Sequence, residues 1–409
     1  MLAPLLSVRT LLLAIFIMMA GSGFLWTLLA VRLELAGANA LTIGVVGTAY
    51  FAGLMVGSLR ISALVGRIGH IRAFAACVTV FSASSLGYAL VLDPVWWGAL
   101  RFVDGFALAG VFVCLESWLN RQATPHSRSM ILAAYMICLY GGQAGGQFLL
   151  NLGQGRPDLP FMVSAILLSL ALLPVVLTRL DQPQVETIKP FSLRRLYDAS
   201  PLGIVGVIVN GAMLGAFYAL GSVYVQRMGM SLSQVALFTS SVIAGGVALQ
   251  TPLGLLSDRL DRQRVIIFCF LAVTAIAAFL AFLALPRFAL FGFGALFGGF
   301  AFALYPLCVA HSNDHLDEDE RLGASSGLIL CYSAGAVLGP MLGSTGMTAF
   351  GPAGLFILIG ALGAAGAGFG MYRLIVSRPV EAVDQQSFRG LPRTGPMVAV
   401  LETEAERED

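Results

Sequence analysis

The sequence predicts an all-α integral membrane protein whose chain crosses the bilayer twelve times. Its 409 residues are 58% hydrophobic and only 11% charged, and the mean hydropathy is +0.86. A soluble domain of this length does not need so much apolar surface. Apolar windows of about 20 residues, the length that spans a bilayer as a helix, recur along most of the chain.

Short polar connections separate the twelve predicted spans. The first span follows Arg9 and resembles a signal peptide, but it is long enough to cross the bilayer and no cleavage pattern follows, so we expect it to be retained. The longest polar interruption lies after the sixth span and divides the chain six and six. The predicted spans are 10–31, 41–64, 72–92, 95–119, 130–151, 160–178, 201–223, 232–256, 264–284, 288–310, 324–346 and 352–374.

This division predicts four regions. They are an N-terminal six-helix bundle over 1–178, a cytoplasmic linker over 179–200, a C-terminal six-helix bundle over 201–376 and a disordered cytoplasmic tail over 377–409. The tail mixes proline, glycine and arginine, ends in an acidic run and has no apolar helical period.

The distribution of basic residues predicts that both termini face the cytoplasm. With that orientation most of the 24 lysines and arginines fall on inner connections and tails, as the positive-inside rule requires. A single miscounted span would largely remove this asymmetry. The outer connections hold only Arg32, Arg156, Arg227 and Arg287.

The composition argues against several other classes of function. The net charge is only +2 and no basic patch alternates with aromatics, so we expect no nucleic-acid partner. The six cysteines lie in apolar runs without metal-ligand spacing. Neither a Walker A string nor a nucleophile constellation occurs, which predicts no enzyme, no cofactor, no metal and no direct use of ATP.

The fourth span carries Arg101, Asp104 and Glu116 on one helix face. Arg101 and Glu116 are separated by about 22 Å along a helix, so each needs another partner. Because charges are costly inside a bilayer, they normally face a bundle interior or a wet cavity. This face predicts either a polar path for a solute or protons, or a pair of structural salt bridges.

A related polar element follows the second span of each half. The second-half copy reads GLLSDRLDRQR and the first-half copy reads SALVGRIGHIR. A glycine permits close helix approach, and an Asp-Arg turn can join helix ends by charge, so the element suits a conformational latch. The candidate latch residues are Arg67, Gly69, Arg72, Gly254, Asp258, Arg259 and Arg262.

The pattern G-x-x-x-D-R-x-G-R-x-R resembles the cytoplasmic loop motif of the major facilitator superfamily, and the span count, the halving and the repeat agree with it over residues 1–376. The family usually carries its stronger copy in the first half. Here Ser62 and Gly66 replace the first Gly and the Asp of that copy, and the fuller second-half copy departs only at Asp261. A pair of Arg60 with Glu116 is a candidate substitute for the missing charge, and separate partners for the two are the alternative.

Two further elements resemble motifs of the same family. Arg101 and Gly105 match its R-x-x-x-G motif, whose arginine is associated with proton coupling. Since arginine stays charged, we expect it to tune a nearby acid such as Asp104. The eleventh span contains a G-x-x-x-G-P-x-x-G element like that of the fifth span of exporters, although ordinary helix packing is the alternative. The candidate packing residues are Gly141, Gly145, Gly335, Gly339 and Pro340.

A more specific resemblance is to the YcaD-like subgroup of bacterial facilitators. It rests on RFV at 101–103, ESW at 116–118, LAAYM at 132–136, Tyr305-Pro306 and Leu338-Gly339-Pro340. The family fold implies two pseudo-symmetric six-helix bundles around a cavity lined by spans one, four, seven and ten. The candidate cavity residues are Trp26, Asn210, Tyr218 and Tyr305, with Arg101, Asp104 and Glu116.

These features predict a secondary transporter in a bacterial inner membrane that moves a small, amphiphilic organic solute by alternating access. The resemblance favours proton-coupled export. The sequence leaves two alternatives open, a passive facilitator or uptake carrier and a membrane sensor that binds a ligand without transporting it.

Overall fold

The computed structural model describes residues 3–124, 126–178 and 192–376, together with Phe388 and Gly390. Within these residues the regular structure is helical. The helices are α1 (Ala3–Ser22), α2 (Leu25–Leu35), α3 (Ala40–Ile68), α4 (His70–Leu90), α5 (Pro94–Gln122), α6 (Arg128–Gly146), α7 (Leu159–Val176), α8 (Leu193–Ala199), α9 (Pro201–Arg227), α10 (Leu232–Arg259), α11 (Arg262–Phe282), α12 (Arg287–Asn313), α13 (Glu318–Phe350) and α14 (Gly354–Val376), with a 3₁₀ turn over Gln147–Gly153.

The predicted twelve-span fold is confirmed. Eleven segments of the described chain are long and apolar enough to cross a membrane, with α1 and α2 counted as one. The twelfth is α6 with the 3₁₀ turn that continues it, and it is less apolar because it contains Gln143, Gln147 and several glycines. The first span is not one straight helix, since the chain breaks at Gly23, where an added Cβ would lie 2.8 Å from the side chain of Gln143 on α6.

Local sequence signals fix the ends of several helices. The Asn39 side chain accepts the Thr42 backbone N–H at 2.8 Å before α3, and Asp93 does the same for Trp96 before α5. A capping box formed by Ser231 and Gln234 begins α10. Gly69 separates α3 from α4 with φ +83°, a backbone conformation that favours glycine.

The two halves repeat one packing scheme. In the first, α3 packs along α5 and α1 along α6; in the second, α10 packs along α12 and α9 along α13. These are the equivalent pairs of a six-helix repeat, so the two pseudo-symmetric bundles that the family fold implies are present. In the predicted linker, α8 is described, whereas residues 179–191 lie outside the described residues.

The two ends of the molecule differ in how the halves meet. We call the end where α1 begins and α14 ends the terminal end, and the opposite one the distal end. Towards the distal end, Arg227 pairs with Glu34 at 2.7 Å, Ser233 donates to Asn151 at 2.8 Å and Thr48 donates to the carbonyl of Val337 at 3.1 Å. Towards the terminal end, a cavity of about 540 Å³ separates α6 from α10.

Candidate functional site

Arg101 lies inside the first half with only 2% of its surface exposed. Its guanidinium carbon is 4.7 Å from the centroid of the Trp26 ring, 5.3 Å from that of Tyr50 and 5.9 Å from that of Tyr88. Three aromatic faces around one cation stabilise a charge that would be costly in an apolar interior. Its Nη2 has no hydrogen-bond partner in the described part of the chain.

Asp104 supplies the opposite charge one turn further along α5. Its side chain is fully buried, and one carboxylate oxygen lies 3.9 Å from Nη1 of Arg101. It accepts hydrogen bonds from the hydroxyls of Ser84 and Tyr88 on α4. Hydrogen bonds to an ionised carboxylate are stronger than those to a neutral acid, so protonation of Asp104 would weaken both hydroxyl contacts.

The structure therefore brings together the predicted Arg101 and Asp104 and adds Ser84 and Tyr88, which the sequence analysis missed. The two hydroxyl residues lie on a neighbouring helix, so no spacing within α5 reveals them. The available signal was their separation by four residues in the third span, which places both hydroxyls on one helix face.

Two of the predicted cavity residues meet where the halves face each other. The Trp26 and Tyr218 ring centroids are 6.1 Å apart, those of Tyr218 and Phe302 are 6.4 Å apart, and those of Phe302 and Tyr140 are 5.7 Å apart. We call these four residues the aromatic layer. Two gaps beside Trp26 each have a volume of about 10 Å³, room for about one water molecule.

The other two predicted cavity residues are engaged in helix packing. Asn210 is fully buried, and its Nδ2 donates to the carbonyl of Ala301 at 2.7 Å. Tyr305 packs edge-on against Tyr332, with ring centroids 5.3 Å apart. Asn210 thus joins α9 to α12, and Tyr305 joins α12 to α13, within the second half.

The 540 Å³ cavity lies between the halves at the level of α6 and α10. It has a mixed lining, with methyl and methionine groups beside hydroxyl and amide groups. None of the described residues that line it was predicted as a cavity residue. They are Ser129, Leu132, Ala133, Met136, Ile137, Val247, Gln250, Thr251, Phe388 and Gly390.

Glu116 is fully buried near the terminal end of α5. It accepts a hydrogen bond from the Tyr135 hydroxyl of α6 at 3.2 Å, so it ties two helices of the first half together. Arg60 is exposed, and it forms no ion pair with Glu116 in the described residues. The substitute pair considered from the sequence is therefore not formed, because Arg60 is exposed whereas Glu116 is buried.

The second-half loop copy forms a buried ionic network. Arg262 pairs with Asp314 at 2.6 Å, with each side chain only 1% exposed, and with Asp258 at 3.0 Å. The network joins α10, α11 and the end of α12 within one half. Arg259, expected to act with Asp258, is exposed instead.

The first-half copy has no comparable network in the part of the chain that the structure describes. Arg67 and Arg72 are both exposed. Gly69 makes the turn between α3 and α4 with its positive φ. The loop lacks an acid where Gly66 stands, so its arginines have no local anion to pair with.

The predicted packing glycines fall into two groups. A Cβ on Gly335 or Gly339 would collide with backbone carbonyls of α9, so these two do pack closely. The prediction was wrong in register for α6, because a Cβ on Gly145 would meet nothing within 4 Å and one on Gly141 only a distant ring atom. Their neighbours Gly142 and Gly146, about 100° further round the helix, contact the α1 backbone instead. Pro340 lies against Gly44 and Gly47 of the other half.

Comparison with known proteins gives a consistent result. The family model described as Major Facilitator Superfamily matches residues 11–244 and 203–401. The MFS-type transporter YcaD of Escherichia fergusonii is 31% identical over 325 residues, which cover 78% of this chain and 83% of that protein.

Solved structures with the same fold include two transporters of low sequence identity. The nucleoside transporter NupG superposes with a TM-score of 0.73 at 15% identity and covers 89% of this chain and 98% of its own. A bacterial homologue of the human lysosomal transporter Spinster, in an inward-facing and occupied conformation, gives 0.71 at 14% identity, with 95% and 99% coverage.

Proposed function

The chain belongs to the major facilitator superfamily, and we propose that it is a secondary transporter that moves a small organic solute across a bacterial inner membrane by alternating access. The observation that carries this proposal is the unequal contact between the halves. They are joined by the Glu34–Arg227 pair at the distal end and separated by a 540 Å³ cavity towards the terminal end. With both termini in the cytoplasm, this state is open inward.

The solute site lies on the terminal side of the aromatic layer, where the cavity between the halves begins. Trp26 and Tyr218 come from opposite halves, so a solute held between them is sensitive to the separation of the halves. Aromatic faces with polar tips, and a cation buried behind Trp26, suit an amphiphilic solute with an apolar or aromatic face.

Proton coupling in this proposal belongs to Asp104. Arginine keeps its charge, so Arg101 serves as the fixed partner and Asp104 as the group that gains and loses the proton. Protonation weakens the attraction between them and disturbs the hydroxyl contacts of Ser84 and Tyr88 with Asp104. Glu116 acts as a structural anchor through Tyr135.

Export is the direction that we propose. It rests on the likeness of the Gly335–Gly343 element to that of exporters, and the close packing of Gly335 and Gly339 against α9 is equally compatible with uptake.

The test is a thermal-stability screen of the purified protein against metabolites and drugs at two pH values, followed by flux of any hit in proteoliposomes with an imposed pH gradient. We expect stabilisation by a hit and flux that follows the gradient. Asp104→Asn should abolish the gradient dependence, and Glu116→Gln, the matched control on the same helix, should keep it.

Each other outcome counts against a particular part of the proposal. Flux that ignores the pH gradient in the unmodified protein shows a passive facilitator. Binding without any flux shows a sensor. Gradient-driven flux that survives Asp104→Asn shows that the coupling group lies elsewhere.

A further inference from the structure

Phe388 lies in the gap between the halves at the terminal end, although it belongs to the C-terminal tail. Its ring covers Gly254 of α10 so closely that a Cβ on this glycine would collide with it. The ring is half-buried and packs against the hydrophobic core. Gly254 is the first glycine of the second-half loop motif, the position that permits close approach of another segment. In this structure the residue that approaches it is Phe388.

A charged contact holds the same residue in place. The backbone N–H of Phe388 donates to Oδ1 of Asp258 at 2.8 Å, and this oxygen also pairs with Arg262. Hydrogen bonds to an ionised group are stronger than those between neutral groups. Phe388 is therefore fixed both by ring packing and by the ionic network of the second half.

Gly390 extends the contact to the first half. A Cβ on Gly390 would lie 3.3 Å from Nε2 of Gln250 on α10 and 3.9 Å from the Met136 methyl group on α6. Phe388 and Gly390 both line the 540 Å³ cavity. These two residues thus stand between the two helices that have to approach each other if the terminal end closes.

The tail is long enough for this position. Eleven residues lie between Val376, the last residue of α14, and Phe388, and the twelve Cα–Cα steps of a fully extended chain would span up to about 40 Å.

We propose that Phe388 and Gly390 form an inhibitory plug that holds the terminal end open and has to leave before the halves can close there. This inference rests on the proposed alternating access. The plug favours one state of the cycle, because its ring packing and its bond to Asp258 exist only while the cleft is open. A factor that withdraws the tail would then activate transport.

The experiment measures the opening of the terminal end directly and needs no known solute. Spin labels are placed at Arg121 and Leu260, exposed positions on the first and second halves, in a variant without the six native cysteines. Pulsed electron–electron double resonance then gives the distribution of distances between the two spin labels. The comparison includes full-length protein, Phe388→Ala, a chain ending at Val376 and a matched control ending at Arg393, which retains Phe388 and Gly390.

We expect a mainly long distance in the full-length protein and in the control. Phe388→Ala and the chain ending at Val376 should raise the ratio of short to long distances about tenfold, since each loses the packing of the half-buried ring. All four are also measured with Glu34→Gln, which weakens the distal contact and populates the closed terminal end.

The outcomes separate this inference from the proposed function. Two distance populations whose ratio is the same in all four chains overturn the plug and leave alternating access intact. An equal change in the control chain shows that the tail acts through residues after Arg393, and this also overturns the plug. A single unchanging distance in every chain, with or without Glu34→Gln, contradicts both proposals.

Discussion

The two halves share one helix arrangement but place their buried charges differently. In the first half, α5 carries Arg101, Asp104 and Glu116 within a single membrane-spanning helix, and all three are buried. The equivalent helix of the second half, α12, has no Asp, Glu, Lys or Arg after Arg287. The buried ion pair of that half, Arg262 with Asp314, lies at the terminal end instead. In the function that we propose, the first half carries the groups for solute and proton chemistry, and the second carries groups that fix helix ends.

The strongest test of this comparison is Arg101→Gln. It leaves Asp104 buried without a cation, and removal of one partner of a buried pair costs about 3–5 kcal/mol of stability. We expect a markedly lower melting temperature and loss of binding of any solute identified by the screen. Thermal unfolding and solute titration measure the two effects, and retained affinity would show that Arg101 does not belong to the solute site.

Arg262→Gln is the matched change in the second half. It removes the cation that pairs with Asp314 in a site where both side chains are 1% exposed, so the loss of stability should again be about 3–5 kcal/mol. Solute affinity should stay within about twofold, because the network lies at the ends of α10, α11 and α12 and away from the aromatic layer. If affinity falls as far as in Arg101→Gln, the division of roles between the halves is wrong.

A smaller effect is expected from Glu34→Gln at the distal contact between the halves. The Glu34 and Arg227 side chains are 19% and 25% exposed, and partly solvated pairs contribute about 0.5–1 kcal/mol, a shift of about two- to fivefold in a conformational equilibrium. Ala219 is buried beside Gly47 of the other half. A cysteine placed there by Ala219→Cys should therefore react with a water-soluble maleimide faster by that factor when Glu34→Gln is also present. Exchange of the two charges between positions 34 and 227 should restore the slow rate of maleimide modification. An unchanged rate in Glu34→Gln would show that the pair does not hold this end closed.

The smallest effect is expected from Gly66→Asp, which gives the first-half loop the acid that its family motif has. Gly66 is exposed, and a surface change of this kind alters stability by less than about 0.5 kcal/mol. Chemical denaturation and the distances between spin labels at the terminal end should both stay as in the parent. A clear shift of the spin-label distances to shorter values would show that the first-half loop acts as a latch when the terminal end is closed.

Most of the fold follows from the sequence because membrane helices are recognisable by their length and apolarity. The predicted 95–119 became Pro94–Gln122, and the predicted 41–64 became Ala40–Ile68. The helices run past the apolar windows because their polar last turns, with Arg67 and Arg121, continue beyond the apolar stretch. The break at Gly23 was missed because it depends on the contact with Gln143, more than a hundred residues away.

The site was predicted only where its residues lie on one helix. The spacing of Arg101 and Asp104 shows that they share a face, whereas Ser84 and Tyr88 reach Asp104 from α4. Arg262 meets Asp314 across 52 residues of sequence. Phe388 gave no signal at all, since a single aromatic in a polar tail has no periodicity that marks a contact.

The position of Trp26 has a practical consequence for spectroscopy. Of the four tryptophans, all within the described chain, Trp97 and Trp118 are buried in the first half and Trp96 is 43% exposed. Trp26 instead faces Tyr218 of the other half and lies over a guanidinium. Separation of the halves at the distal end would admit water to this indole and move its fluorescence to longer wavelength. With the other three tryptophans replaced by phenylalanine, the fluorescence of Trp26 would report the opening of the distal end without any attached dye.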